Sequence, residues 1–231
     1  MSIKVTSHWL IILTPVLFLP ITMDGGASLS EALQKAIFIS LLLQLLVIIP
    51  HEFGHIIMSR CFGIRRGTLF IGGIIGGWLP DDEYAFERLK PGRRLVIYSA
   101  GPATNFILAA LCVTLNHRWH LHSSVLLAIM EVNVFSGLLN LIPIFPLDGG
   151  RIFRELLIII RVRTSQHLTY VRFVAAVCGL GWMLFILKHG HWLDWFTWLL
   201  VTTAALYLLV DRNVLYFEKP RNYRRTWNSR Y

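Results

Sequence analysis

The chain has 231 residues, of which 55% are hydrophobic and only 15% charged, and its mean hydropathy is +0.58. That balance is too apolar for an ordinary soluble domain and fits a polytopic membrane protein. In such a protein a net charge of +9 reads as orientation, with Lys and Arg retained on the cytosolic side, and no nucleic-acid partner is implied.

Apolar windows predict six crossings, at about residues 8–23, 33–60, 94–116, 124–146, 168–187 and 192–210. The first carries Pro15 and Pro20 and lacks a small-residue cleavage site, so it reads as a retained helix, not a signal peptide. With a cytosolic N-terminus, only Lys35, Arg118 and Lys188 fall on the outer side, and the remaining 19 of the 22 basic residues lie on the cytosolic side. This asymmetry supports the number and direction of the spans and places both termini in the cytosol.

The second crossing ends in "IPHEFGHIIMSR". Ionisable groups in hydrocarbon cost several kcal/mol unless paired or put to use, so His51, Glu52 and His55 need a compensating role. Spacing of i, i+4 stacks the two histidines on one helix face, about 5–6 Å apart at Cβ, near enough for both imidazoles to hold one metal. Glu52, beside them, is placed to take a proton from an attacking water and pass it to a leaving amine. Pro50 removes a helix hydrogen bond where the motif begins and is expected to kink the helix.

Between the second and third crossings lies "GIRRGTLFIGGIIGGWLPDDEYAFERLKPGRR", whose glycine pairs and short apolar alternation predict a small membrane-associated β-hairpin. Its stretch from Phe70 to Trp78, with Gly72, Gly73, Gly76 and Gly77, is a candidate edge on which an extended substrate strand pairs. In the third crossing, Asn105 within "AGPATN" has small neighbours and reads as a helix-packing residue. The fourth carries Glu131 and Asn133 in its outer half, where Glu131 reads as an interhelical hydrogen-bond donor.

Two histidines leave a zinc site incomplete, since three protein ligands and one open position are the usual catalytic arrangement. The best source of the third is "NLIPIFPLDGGR", Asn140 to Arg151. Spans two and four both run inward, so Asp148 arrives at the membrane depth of His51 and His55. The alternative for Asp148-Gly149-Gly150 is a turn at a helix end; its matching depth with the histidine pair favours the ligand. His117, His120, His122, His189 and His191 share the outer surface and read as loop residues, since no carboxylate or cysteine framework completes a site there. The three cysteines, Cys61, Cys112 and Cys178, are odd in number and lack CxxC spacing, which points to neither a disulfide framework nor a thiolate zinc site. The basic tail, 211–231, is expected to touch anionic headgroups.

His51-Glu52-Phe53-Gly54-His55, Gly101-Pro102-Ala103-Thr104-Asn105 and Asn140 through Leu147-Asp148-Gly149-Gly150 together resemble the site-2 protease family, intramembrane zinc metalloproteases of peptidase family M50. The resemblance implies one Zn2+ per chain, held by His51, His55 and Asp148, with Glu52 as general acid and base and Asn140 near the substrate or the developing oxyanion. It also implies a single transmembrane metalloprotease domain over 1–231, with a catalytic core at about 33–160 and C-terminal helices at about 168–210. The loop between spans three and four is too short for the PDZ domain of some members, and too few residues follow span six for CBS domains. The expectation is therefore an all-α, multi-pass enzyme of a prokaryotic inner membrane. It would cleave transmembrane substrates near the cytosolic side, with the bilayer and an unidentified regulatory membrane protein as possible partners.

Other classes fit less well. A non-catalytic binder of transmembrane clients needs neither Glu52 nor the three ligands. Desaturases need many more clustered histidines, transporters spread ligands over several spans, and a CAAX-type protease leaves the Leu147-Asp148-Gly149-Gly150 segment unexplained.

Overall fold

The computed structural model describes residues 3–7, 10–23, 28–72, 76–120, 122–143 and 147–162, together with residues 170, 173, 174 and 177. The elements below belong to a unit spanning Met1–Val171; a second unit, Arg172–Tyr231, lies almost wholly outside the described residues.

The chain opens with a strand, β1 (Ile3–Ser7), followed by α1 (Leu10–Thr22) and α2 (Leu29–Leu43). A capping box starts α2: Ser28 Oγ accepts from the Glu31 amide at 3.4 Å, and the Glu31 carboxylate accepts from the Ser28 amide at 3.1 Å. A π-helical turn over Gln44–Ile48, in which the Ile49 amide donates to the Gln44 carbonyl, joins α2 to α3 (Ile49–Cys61). The expected kink at Pro50 thus takes the form of a widened turn just before it, and the missing proline N–H supplies the reason.

An antiparallel hairpin follows, β2 (Gly67–Ile71) and β3 (Gly76–Pro80), with Gly67 opposite Pro80 and Ile71 opposite Gly76. The hairpin stands where the glycine pattern put it. The sequence reading did not foresee β1, which pairs in parallel with β2, Ile3 opposite Gly67 through Ser7 opposite Ile71. Among the described residues the sheet therefore runs β1-β2-β3 and has β3 as an edge. Its inner face packs on α3 through Ile56, Leu69 and Trp78, with Ile3 and Ile71 against them.

Asp82 caps the short α4 (Glu83–Glu87) by accepting from the Ala85 amide at 2.8 Å. Pro91 opens the long α5 (Pro91–Arg118), where its missing N–H has no helical partner to lose. This helix is the hub, packing against α3, α6 (Ser124–Asn140) and α7 (Asp148–Ile159). A second apolar cluster, Ile64, Phe86 and Ile97, joins the sheet connection, α4 and α5.

Among the described residues, two helical stretches are long and apolar enough to cross a membrane, Leu29–Cys61 and Pro91–Arg118. They coincide with the expected crossings at 33–60 and 94–116. The crossing expected at 124–146 falls on α6, which has 17 residues, and the one at 8–23 on α1, which has 13. α6 stops early because Pro143 and Pro146 follow it, and a proline disfavours helical backbone in the residue before it. Asp148 consequently opens α7; it does not end span four. The crossings expected at 168–187 and 192–210 lie almost entirely outside the described residues.

Candidate metal centre

His51 and His55 lie one turn apart on α3 and meet Asp148 at the start of α7. The two Nε2 atoms are 3.2 Å apart, and Asp148 Oδ2 lies 3.0 Å from His51 Nε2 and 3.2 Å from His55 Nε2. All three residues are buried, and they are the group among the described residues whose ligand atoms converge tightly enough to hold a metal ion.

Protons decide what this cluster can bind. His55 Nδ1 faces the Ile97 carbonyl at 2.8 Å. A carbonyl only accepts, so Nδ1 carries the hydrogen and Nε2 presents a lone pair. His51 Nδ1 faces Asn105 Oδ1 at 2.7 Å, which assigns its hydrogen the same way. Two imidazole lone pairs and a carboxylate oxygen therefore point at one another with no donor among them. Three crowded acceptors repel unless a cation lies between them, and a pair of neutral imidazoles with one carboxylate suits zinc.

The backbone is shaped to leave this space open. A Cβ at Gly101 on α5 would run into the Nε2 atoms of both histidines. Glycine is the residue whose absence of a side chain lets α5 back directly onto the cluster.

Glu52 shares α3 with the histidines and interacts electrostatically with His55, His51 and Asp148. It is 5% exposed, and its Oε2 has no hydrogen-bond partner among the described residues. Buried polar atoms are nearly always paired, so this unpaired carboxylate oxygen is left able to accept a hydrogen bond from a molecule entering the cluster. The sheet edge passes over this residue: a Cβ at Gly76 would stand 2.8 Å from Glu52 Oε1 and 2.8 Å from Ile48 Cγ2. Of the other hairpin glycines, Gly72 is buried, a Cβ at Gly77 would meet open space, and Gly73 lies outside the described residues.

The structure does not join Asn140 to this cluster. It is half-buried at the last position of α6 and donates from Nδ2 to the Ser136 carbonyl at 3.1 Å. Asn105, which the sequence suggested as a packing residue, is fully buried and bonded to a candidate ligand. Sequence reasoning also missed the Arg94–Glu155 ion pair, 2.7 Å long and buried on both sides, which ties α7 to α5. Arg94 also donates to the Glu87 and Leu89 carbonyls at 2.6 and 3.2 Å. Arg94 had counted only as a cytosolic charge; the signal was Glu155, an acidic residue directly before the apolar run Leu156–Ile159 of α7.

Comparison with known proteins places the chain in a family. The chain is 26% identical over 160 residues to a zinc metalloprotease of Methanocaldococcus jannaschii, covering 68% of this chain and 43% of that protein. It is 31% identical over 120 residues to stage IV sporulation protein FB of Bacillus subtilis, covering 49% and 38% respectively. The chain thus spans about two fifths of the length of these curated relatives. Its fold resembles the solved site-2 protease of Methanocaldococcus jannaschii, with a TM-score of 0.61 and 22% identity over 89% of this chain and 90% of that one. The family model of peptidase family M50 matches residues 37–117 and 114–185, more than half of the chain. The chain belongs to peptidase family M50, the site-2 protease family.

Proposed function

We propose that the protein is a zinc-dependent endopeptidase that cleaves transmembrane proteins near the cytosolic face of the bilayer. One observation carries the reading: the lone pairs of His51 and His55 and the carboxylate of Asp148 converge beside a buried glutamate with an unpartnered oxygen. A zinc ion bound there supplies Lewis acidity, which makes a peptide carbonyl electrophilic and water acidic near neutral pH.

The residues of the chain do the rest. Glu52 Oε2, lacking a donor, accepts the proton released as water adds to the scissile carbonyl carbon. It returns that proton to the amide nitrogen as the C–N bond breaks, so the products are a carboxylate and an amine. Burial of the cluster excludes bulk water and strengthens each electrostatic contact. Substrate must arrive extended, because a helix ties up its own carbonyls. The edge of β3 at Gly76 and Gly77, which has no further strand beside it among the described residues, offers main-chain pairing for such a strand over Glu52; Gly72 and Gly73 are assigned to the same substrate strand from the sequence. Asn140 is assigned to the substrate or oxyanion side, which requires its amide to leave Ser136 when substrate enters.

A membrane setting is supported by large apolar side chains exposed along the two long helices, among them Phe38, Leu41, Leu45 and Phe53 on one and Ile107 and Leu111 on the other. Asn105, Asn133 and Glu155 are meanwhile fully buried, beside apolar residues that are also inside. The count of basic residues then orients a multi-pass protein with cytosolic termini in a cell membrane.

The test is purified protein assayed for metal and for cleavage of co-expressed, tagged single-span proteins. Wild type is expected to carry one zinc per chain and release a product. His55→Ala and Asp148→Ala are expected to lose the zinc. Zinc content unchanged in both variants would remove the assignment, and a chain that captures clients without cutting them would be a binder.

A further inference from the structure

The tautomer of His51 depends on which end of the Asn105 amide faces it. If the Asn105 amide were turned over, its NH2 would donate to His51 Nδ1, the ring hydrogen would move to Nε2, and the cluster would lose a lone pair. Something must therefore hold Asn105 one way round, and the structure supplies a chain of contacts that does so.

Asn133, on the neighbouring α6, is fully buried. Its Nδ2 donates to two carbonyls, Ile129 at 2.9 Å and Leu46 at 3.3 Å. Carbonyls cannot donate, so the NH2 end of Asn133 must face them and its Oδ1 must face the other way. That oxygen accepts from Asn105 Nδ2 at 3.2 Å. Asn105 is thereby fixed with its own Oδ1 toward His51 Nδ1 at 2.7 Å. Each bond in the series admits one direction only, from His51 back to the backbone.

The far end is equally specific. Leu46 lies in the π-helical turn, four residues before Pro50. In an α-helix the amide of residue 50 would donate to that carbonyl, and proline has no amide hydrogen to give. Pro50, placed one residue before His51, therefore cannot donate to the Leu46 carbonyl, which accepts from Asn133 Nδ2.

We propose that Asn133 is a positioning residue for the metal centre, setting the metal-competent tautomer and ring orientation of His51 through Asn105 and anchored on the backbone that Pro50 modifies. This rests on the reading of His51, His55 and Asp148 as zinc ligands. Partners that fix a ligating histidine through its other ring nitrogen are typically worth roughly 10–100-fold in metal affinity.

The test titrates full-length, detergent-solubilised protein with zinc and, separately, records the visible spectrum after cobalt(II) loading. Asn133→Leu is expected to weaken zinc binding by roughly 10–100-fold and to shift the cobalt bands. Asn133→Asp, which as the neutral acid donates its O–H to a backbone carbonyl and keeps the oxygen that receives Asn105, is expected when titrated at mildly acidic pH beside wild type to bind within about threefold of it, well short of that loss. Asn105→Leu is expected to match Asn133→Leu, and the double variant to be no weaker than Asn105→Leu alone, because both act on one ring nitrogen. Should Asn133→Leu not fold, Asn133→Ala supplies the same comparison. Wild-type affinity and an unshifted cobalt spectrum in Asn133→Leu or Asn133→Ala would overturn the proposal, as would losses that add in the double variant. Wild type that binds no zinc would instead defeat the ligand assignment itself.

Discussion

Glu52 and Gly101 make opposite demands around the histidine pair, one a side chain that must be present and one that must be absent. Glu52→Gln preserves size but loses the oxygen that accepts a proton. It is expected to retain zinc while turnover falls by about 10²–10⁴-fold or more, measured as cleaved product against bound metal in the same preparation. Gly101→Ala is the complementary change. Its methyl group would enter the space of both Nε2 atoms, so zinc affinity is expected to drop by at least the roughly 10–100-fold associated with disturbing a ligating histidine. A zinc titration matching wild type would show that α5 can retreat from the cluster. Much at this scale was readable in the sequence, because His51, Glu52 and His55 share a single helical turn and their spacing alone fixes their mutual position. Asn105 and Asn133 were visible only as polar residues in apolar spans. Which atoms they offer one another depends on the approach of three helices, and no local pattern records that.

Asp148 reaches the histidines because an element, α7, is held at the right height. Arg94 on α5 pairs with Glu155, which follows Asp148 by two turns of α7. Removing one member strands a buried charge, so Arg94→Met is expected to destabilise the fold by about 3–5 kcal/mol, whereas Arg94→Met with Glu155→Leu recovers most of that loss. Unfolding in mixed micelles reads both. Equal destabilisation by the single and double variants would mean the pair does not act as a unit. The edge strand gives a second element-level prediction. Gly76→Val would place a side chain against Glu52 and Ile48, and is expected to slow cleavage at least about tenfold through a misplaced base, without lowering zinc content. Activity equal to wild type would dissociate β3 from the reaction. The hairpin was legible because its glycines bound two short apolar runs. β1 was not: Ile3 and Val5 alternate with Lys4 and Thr6, but the parallel partner lies some sixty residues away and the strand is too short to announce itself. Asp148 was placed by depth, yet assigned to the end of a long span, since the two prolines that end α6 were read within that span and not as its boundary.

At the largest scale, the large apolar side chains exposed on the two long helices among the described residues have a geometric consequence. The candidate ligands His51 and His55 lie toward the C-terminal end of Leu29–Cys61, and in the orientation proposed from the basic-residue asymmetry that end faces the cytosol. Substrate helices that contain Gly, Pro or Asn in their cytosolic third unwind there at lower cost, and are expected to be cut faster than uninterrupted helices of the same length. The position of the cut joins the chemistry of the site to its place in the membrane. The most direct measurement is mass-spectrometric mapping of products from single-span substrates co-reconstituted in vesicles with wild type or Glu52→Gln. A scissile bond in the cytosolic third of the span, formed by wild type and absent with Glu52→Gln, is the expected result; cleavage at the outer end of the span, or equal product from Glu52→Gln, would contradict it.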